Sequence, residues 1–394
     1  MPKQKALFSN GFEFTANLFK TGHIVAISCG LLAGLCIGYY LPLISFWMHD
    51  LGFSGNEIGV NTSSVAVLVF GAYMPKWLAR LGGARALFVS ILGTMLVLAM
   101  MPFFSELTLI YGMRFLFGFA FGFFWIASET WINSNADAKN RGVYISLYAT
   151  LYGLGICLGP QFLKLIGTTG KTPFFFGLIL FLPALLAIRL IRKKIPAFKV
   201  SPKPSQKKSL FWQLPLAFLG VFLSGVFEVS ISNLFNIFAM YKGVGDQEIL
   251  SLLSVFALGN FLCQFPIGWL ADRFSLHKVI VMNCMVAFTC LILVSLFFNE
   301  GLLLYVLMFF LGGSIIAFYT LSLILLGHHF SVEDMTRANM FFIVCFTIGG
   351  LIGPFIAGHL VDFYPNTYFY FMAILALGYA CLVLTPKMRR VISE

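Results

Sequence analysis

Charge is what this chain of 394 residues most lacks: Asp, Glu, Lys and Arg make up 10% of it, against about 25% in a soluble domain. With 59% apolar residues, so few charges cannot cover the apolar surface of a folded chain in water. The composition demands a bilayer as solvent. Paired cysteines are missing too. Cys29, Cys36, Cys157, Cys263, Cys284, Cys290, Cys345 and Cys381 stand singly in apolar runs with no CxxC spacing, which excludes a disulfide or zinc framework and leaves small buried hydrophobes. There is no glycine loop with a phosphate-binding lysine, no HExxH and no clustered metal ligands. These absences argue against an enzyme, a nucleotide-driven machine, or a bound metal or cofactor. A cleavable leader is not expected, because the apolar run from His23 to Trp47 is too long for a signal core.

What is present is a succession of apolar segments, each near the roughly 20 residues a spanning helix needs. They fall at 22–48, 57–79, 84–104, 106–132, 140–165, 172–191, 212–241, 247–270, 276–298, 301–327, 336–361 and 366–385. Twelve transmembrane helices are expected, an all-α membrane protein. Residues 192–211 interrupt the series with Lys, Arg and three prolines and read as a solvated linker. The expected organisation is a six-helix bundle over 1–191, the linker 192–211, and a second six-helix bundle over 212–394.

The net charge of +11 is spread through short loops, which excludes a nucleic-acid footprint and points to topology. If both termini lie in the cytoplasm, nearly all lysines and arginines fall inside, and the opposite loops hold only Lys164, Lys171 and Lys242. A multi-pass protein of the cell inner (plasma) membrane with cytoplasmic termini is therefore expected, and a monomer is the default.

The halves also resemble each other. Lys76-Trp77-Leu78-Ala79-Arg80 aligns with Gly268-Trp269-Leu270-Ala271-Asp272, Arg141 with Arg337, and Gly159-Pro160 with Gly353-Pro354. Three landmarks in one order at nearly one offset indicate an internal repeat of six spans.

These features resemble the major facilitator superfamily. Gly268-Trp269-Leu270-Ala271-Asp272-Arg273 matches the front of its loop signature G-x-L-A-D-R-x-G-R-[RK], then departs at Ser275. The first copy is more degenerate, with Lys76 and Arg80 in place of glycine and aspartate. Glu129-Thr130-Trp131-Ile132-Asn133, followed by Arg141-Gly142, is similar to the E-S-W-L-N…R-G pattern of the YcaD-like bacterial branch. Arg114 and Gly118 resemble the R-x-x-x-G motif of proton-linked members. Gly155, Gly159 and Pro160 resemble the start of the antiporter motif, without its trailing Gly-Gly. The resemblance implies a secondary transporter of a small molecule working by alternating access, proton-coupled, with efflux favoured over uptake by symport. A lipid flippase or a non-transporting receptor on the same scaffold are the alternatives.

Ionisable residues at membrane depth are expensive and are functional candidates by default. Glu228, at the middle of the seventh span, is suited to carry a proton or meet a cationic group; a carboxyl bonded to a neighbouring helix is the plain alternative. Arg114 cannot shed its charge and needs a carboxylate, an anionic substrate or helix carbonyls. Asn233, Asn236, Tyr39, Tyr152, Asn260, Gln264 and Tyr319 are polar groups on helices that line the cavity in the family's layout, able to orient a substrate or to bridge helices. Glu129, Arg141, Asp272, Arg273, Arg337 and Arg80 cluster at the cytoplasmic ends of their spans and are expected to lock a cytoplasmic gate, although loop ion pairs are commonly structural.

Overall fold

The computed structural model describes residues 21–71, 73–135, 141–192, 195, 213–298, 301–330, 332–386 and 388; most of the linker lies outside them. In lipid every backbone N–H and C=O must be paired within its own segment, and the apolar runs accordingly fold as helices. They are α1 (Thr21–Asp50), α2 (Gly55–Gly59), α3 (Thr62–Phe70), α4 (Met74–Leu81), α5 (Gly83–Met100), α6 (Leu107–Asn135), α7 (Arg141–Ile166), α8 (Thr172–Ile191), α9 (Pro215–Tyr241), α10 (Asp246–Arg273), α11 (Leu276–Leu296), α12 (Gly301–His329), α13 (Val332–Phe363) and α14 (Thr367–Leu384). Eleven of the described helices are long and apolar enough to cross a membrane, and a twelfth span is completed when the bent pair formed by 55–70 and 74–81 is taken as one. Large apolar side chains stand exposed along most of these helices, Phe265 of α10 at 81% among them, a density that suits hydrocarbon rather than water.

The second span differs from the continuous helix expected at 57–79. Its first break is at Val60–Asn61: the Thr62 N–H turns to the Val60 carbonyl at 3.2 Å, and the kink is stitched to α6. The Thr62 hydroxyl donates to the Tyr111 carbonyl, that of Ser63 to the Arg114 carbonyl, and that of Tyr111 to the Glu57 carbonyl, all at 2.8 Å. A second break follows Gly71, where Pro75 sits in the first turn of α4. Proline lacks an N–H and clashes with the carbonyl four residues back, so it starts a helix more readily than it continues one. α4 itself buries Met74 and Leu78 and exposes Lys76 and Arg80, an amphipathic segment.

The packing repeats. α1 lies along α7 and α9 lies along α13 in the two most extensive contacts, and α10 on α12 comes next. Both principal contacts are made backbone to backbone at glycines. A Cβ on Gly155 would strike the Leu31 carbonyl of α1, and one on Gly349 would strike the Phe222 carbonyl of α9. Gly159 meets Gly38 and Tyr39, and Gly353 meets Val226 and Ser230. Gly155 and Gly349, Gly159 and Gly353, Pro160 and Pro354 are related by the same shift along the chain, so the repeat in sequence is a repeat of contacts. Gly30, Gly34 and Gly38 of α1, four apart, answer with carbonyls of Tyr148, Tyr152 and Ile156 against them. Small residues at such spacing let helices approach where no hydrophobic force drives them together.

Replacing Gly155 by leucine forces these backbones apart, and overpacking of this kind costs about 1–3 kcal/mol or more. Gly155→Leu is expected to lower the melting temperature and the monodisperse yield in detergent. Gly112→Ala, with nothing within 4 Å of the added carbon, is expected to leave both unchanged; equal loss in the two variants would contradict this account.

Candidate functional site between the two halves

The bundle has a near end, where α1 starts and α14 finishes, and a far end, where α1 finishes at Asp50 and α2 begins. Among the described residues, every hydrogen bond joining the first six spans to the last six lies between the middle and the far end. Asp362, at the end of α13, accepts from the N–H groups of Gly55 at 2.8 Å and Asn56 at 2.7 Å. Unpaired N–H groups at a helix start attract a carboxylate, and the Tyr241 hydroxyl adds a third donor at 3.1 Å. Gly55 and Gly59 of α2 lie against Gly358 and the Pro354 carbonyl with no room for a Cβ. The Asn61 amide reaches the Gly350 carbonyl at 3.2 Å. On the opposite flank α7 and α10 are joined by Gln161 to Ser254 and Lys164 to Ser251, each at 2.8 Å, and by Thr168 to Asp246. Asn236 of α9 donates to the Pro42 carbonyl of α1 at 3.5 Å.

None of this seal except Asn236 was singled out from sequence. A carboxylate at the end of the run His359-Leu360-Val361-Asp362-Phe363 was the available signal, but nothing local tells that its partner is the start of α2, more than 300 residues earlier.

Arg114 lies just inside the seal and is 1% exposed. The kink in the second span explains one of its contacts. With Thr62 bonded to Val60, the Ile58 carbonyl is left to accept from Arg114 Nη1 at 2.9 Å. Nη2 reaches Asn233 Oδ1 of α9 at 3.5 Å, and Met48 Sδ lies 3.7 Å from Nη1. Asn233 is aimed by its own bond from Nδ2 to the Val229 carbonyl at 2.8 Å. Arg114 Nε, Tyr40 Oη and Asn236 Oδ1 are buried without partners.

Glu228 occupies the middle of α9, five residues or about 7.5 Å along the axis from Asn233. It forms no hydrogen bond or ion pair with Arg114, and none with any other described residue. It is partly exposed among buried neighbours. Tyr152 of α7 and Tyr319 of α12 lie within electrostatic reach of both Glu228 and Glu129. Trp125 sets its ring edge-on to Tyr152 at 4.7 Å and its indole reaches the Glu129 carboxylate. Tyr319 is flanked by Phe342 at 5.0 Å and Phe346 at 5.8 Å. Carboxylates, phenols and aromatic rings from both halves therefore meet at one depth.

Other expected site residues lie elsewhere. The Tyr39 hydroxyl donates to the Pro173 carbonyl at 2.7 Å, tying α1 to the start of α8. Asn260 is partly exposed and Gln264 exposed on α10. At the near end Arg80, Asp272 and Arg273 are exposed, and the Arg273 guanidinium stacks on Trp269 at 4.4 Å. The side chains of Arg141 and Arg337 lie outside the described residues.

The model of the Major Facilitator Superfamily matches residues 26–250 and again 217–393. The chain belongs to that superfamily. The MFS-type transporter YfkF of Bacillus subtilis is 23% identical over 358 residues, covering 87% of this chain and 90% of that one. YcaD of Escherichia coli is 26% identical over 377 residues, covering 91% and 95%. Among solved structures, the nucleoside transporter NupG superposes with a TM-score of 0.74 at 16% identity, over 92% of this chain and 98% of that one; at that identity it shows the fold alone. As a Major Facilitator Superfamily transporter the chain carries a small molecule across a membrane.

Removing the Asp362 carboxylate takes away the cap that holds α2 to α13. In a background without the eight native cysteines, Asn236→Cys, wholly buried where α9 meets α1 across the two halves, is expected to react severalfold faster with a membrane-impermeant maleimide added at the far side once Asp362→Ala is introduced. Unchanged labelling would show that Asp362 does not hold the far end shut.

Proposed function

We propose that this transporter is proton-coupled and works by alternating access, with residues 1–191 and 212–394 moving as two bodies joined by the linker 192–211. Both termini face the cytoplasm of a cell whose inner (plasma) membrane holds the protein, and the conformation described above is the one open to the cytoplasm. The distribution of lysine and arginine supports the orientation. The seal at the far end, together with exposed Arg80, Asp272 and Arg273 at the near end, supports the conformation. In the alternate state those three residues, with Glu129, Arg141 and Arg337, form the cytoplasmic gate.

One observation carries the coupling: Glu228, a carboxylate at mid-depth with no hydrogen-bonding or ionic partner among the described residues, on the space between the halves. Burying a charged carboxylate without partners is costly, and protonation removes that cost. A group in this setting takes a proton from whichever side it faces and retains it across the conformational change. Export in exchange for protons is the direction proposed, on the motif Gly155-Gly159-Pro160, although the observed work of those glycines is packing against α1.

The test is spectroscopic and needs no substrate. In reconstituted protein, stepping the pH down is expected to produce a protonated-carboxyl stretch in infrared difference spectra that is absent from Glu228→Gln. In proteoliposomes, flux of any transported solute is expected to respond to an imposed pH gradient in wild type and to lose that response in Glu228→Gln. A pH-driven flux that survives the substitution undiminished would remove Glu228 from the mechanism.

A further inference from the structure

Charge within the bundle is not balanced at Arg114. Its contacts are one carbonyl, one thioether and one amide oxygen, none with a formal negative charge, and its Nε has no partner. A carboxylate isolated at such depth can take up a proton, but a guanidinium cannot be deprotonated in a protein. A buried charge of this kind is costly unless paired and hydrogen-bonded, and the Ile58 carbonyl and the Asn233 amide satisfy only part of the guanidinium's five N–H donors. Two far-end carboxylates, Glu57 and Asp362, are committed elsewhere. Glu57 closes a capping box, accepting from the Ser54 N–H and hydroxyl at 2.9 Å each, and Asp362 holds the start of α2. Glu228 lies on α9 five residues from Asn233 and makes no bond to Arg114.

A second unpaired donor lies beside the first. The Tyr40 hydroxyl is buried and turned toward the guanidinium and Ser63, yet makes no hydrogen bond of full geometry with either. Its ring is held in place by stacking on Phe117, with centroids 3.6 Å apart and planes inclined by 13°. Buried polar groups are nearly always satisfied, so two orphaned donors next to an uncompensated cation point to a missing acceptor.

We propose that Arg114 and Tyr40 recognise an anionic group, a carboxylate or a phosphate, on the transported molecule, which reaches them when the far end parts. The inference rests on the alternating-access reading above. A guanidinium fork binds such groups in bidentate fashion, with the phenol as a further donor. As the far end closes, Asn233 and the Ile58 carbonyl take the place of the anion. Asn233 belongs to the second half and Arg114 to the first, so the contact that replaces the ligand is also one that draws the halves together. Release of the anion and closure of the seal are then the same event.

The experiment uses purified full-length protein at fixed pH and ionic strength, with acetate, benzoate and inorganic phosphate as probes and benzamide and benzylamine as neutral and cationic counterparts of benzoate. Thermal stabilisation and calorimetry are expected to detect binding of at least one anion and of neither counterpart. Affinity for that anion is expected to fall at least tenfold in Arg114→Gln, and severalfold in Arg114→Lys, which keeps the charge but loses the fork, and in Tyr40→Phe. Binding of none of the anions overturns the proposal, as does an Arg114→Gln affinity equal to wild type. If Arg114→Gln does not fold, wild-type affinity in both Arg114→Lys and Tyr40→Phe overturns it instead. Because binding at fixed pH needs no proton gradient, anion binding without pH-driven flux would remove only the coupling reading, whereas pH-driven flux of a cationic solute independent of Arg114 would remove only this one.

Discussion

Backbone-to-backbone contact at glycine is the interaction on which the rest of this structure depends. In lipid the helices gain nothing by hiding apolar side chains from one another, so association comes from close packing and polar bonds. Gly30, Gly34 and Gly38 against α7, and Gly349 and Gly353 against α9, bring main chains within carbonyl contact of each other. Each such pair is a stiff unit. The far-end seal uses the same device between units, with Gly55 and Gly59 against Pro354 and Gly358, and adds a carboxylate cap that can be made and broken.

On that scaffold the interior charges are partitioned by the seal. Arg114 lies just inside it, buried, while Glu228 lies further along α9, partly exposed. The two stand on different helices from different halves, and Asn233 is the residue between them: it accepts from Arg114 and shares a helix with Glu228. A permanent cation and a titratable acid separated in this way can respond to different partners on opposite faces of the membrane. Direct pairing would have neutralised both and left neither available.

The broken second span shows how local chemistry feeds that arrangement. Pro75 and Gly71 end one segment and begin another, and the earlier kink at Val60–Asn61 frees the Ile58 carbonyl that Arg114 uses. Hydropathy alone reads 57–79 as one helix, because the apolar run Val65–Phe70 outweighs the polar kink residues Asn61 and Thr62 in a window of that length. The seal was equally hidden. Asp362 and Gly55 are ordinary residues at helix ends, and their pairing exists only because α13 and α2 cross there.

The sequence by itself determined the solvent, the helices and the repeat. Sparse charge forces a bilayer, a bilayer forces self-paired backbone, and glycines at one offset in both halves force the same helix contact twice. It also singled out Glu228 and Arg114, because ionisable groups at membrane depth stand out against an apolar background. Only the tertiary structure decided that these two do not meet, that Tyr39 serves α8 and not the space between the halves, and that the far end is the closed one. Those outcomes depend on which helix faces which across more than a hundred residues of chain, and no periodicity or composition carries that information.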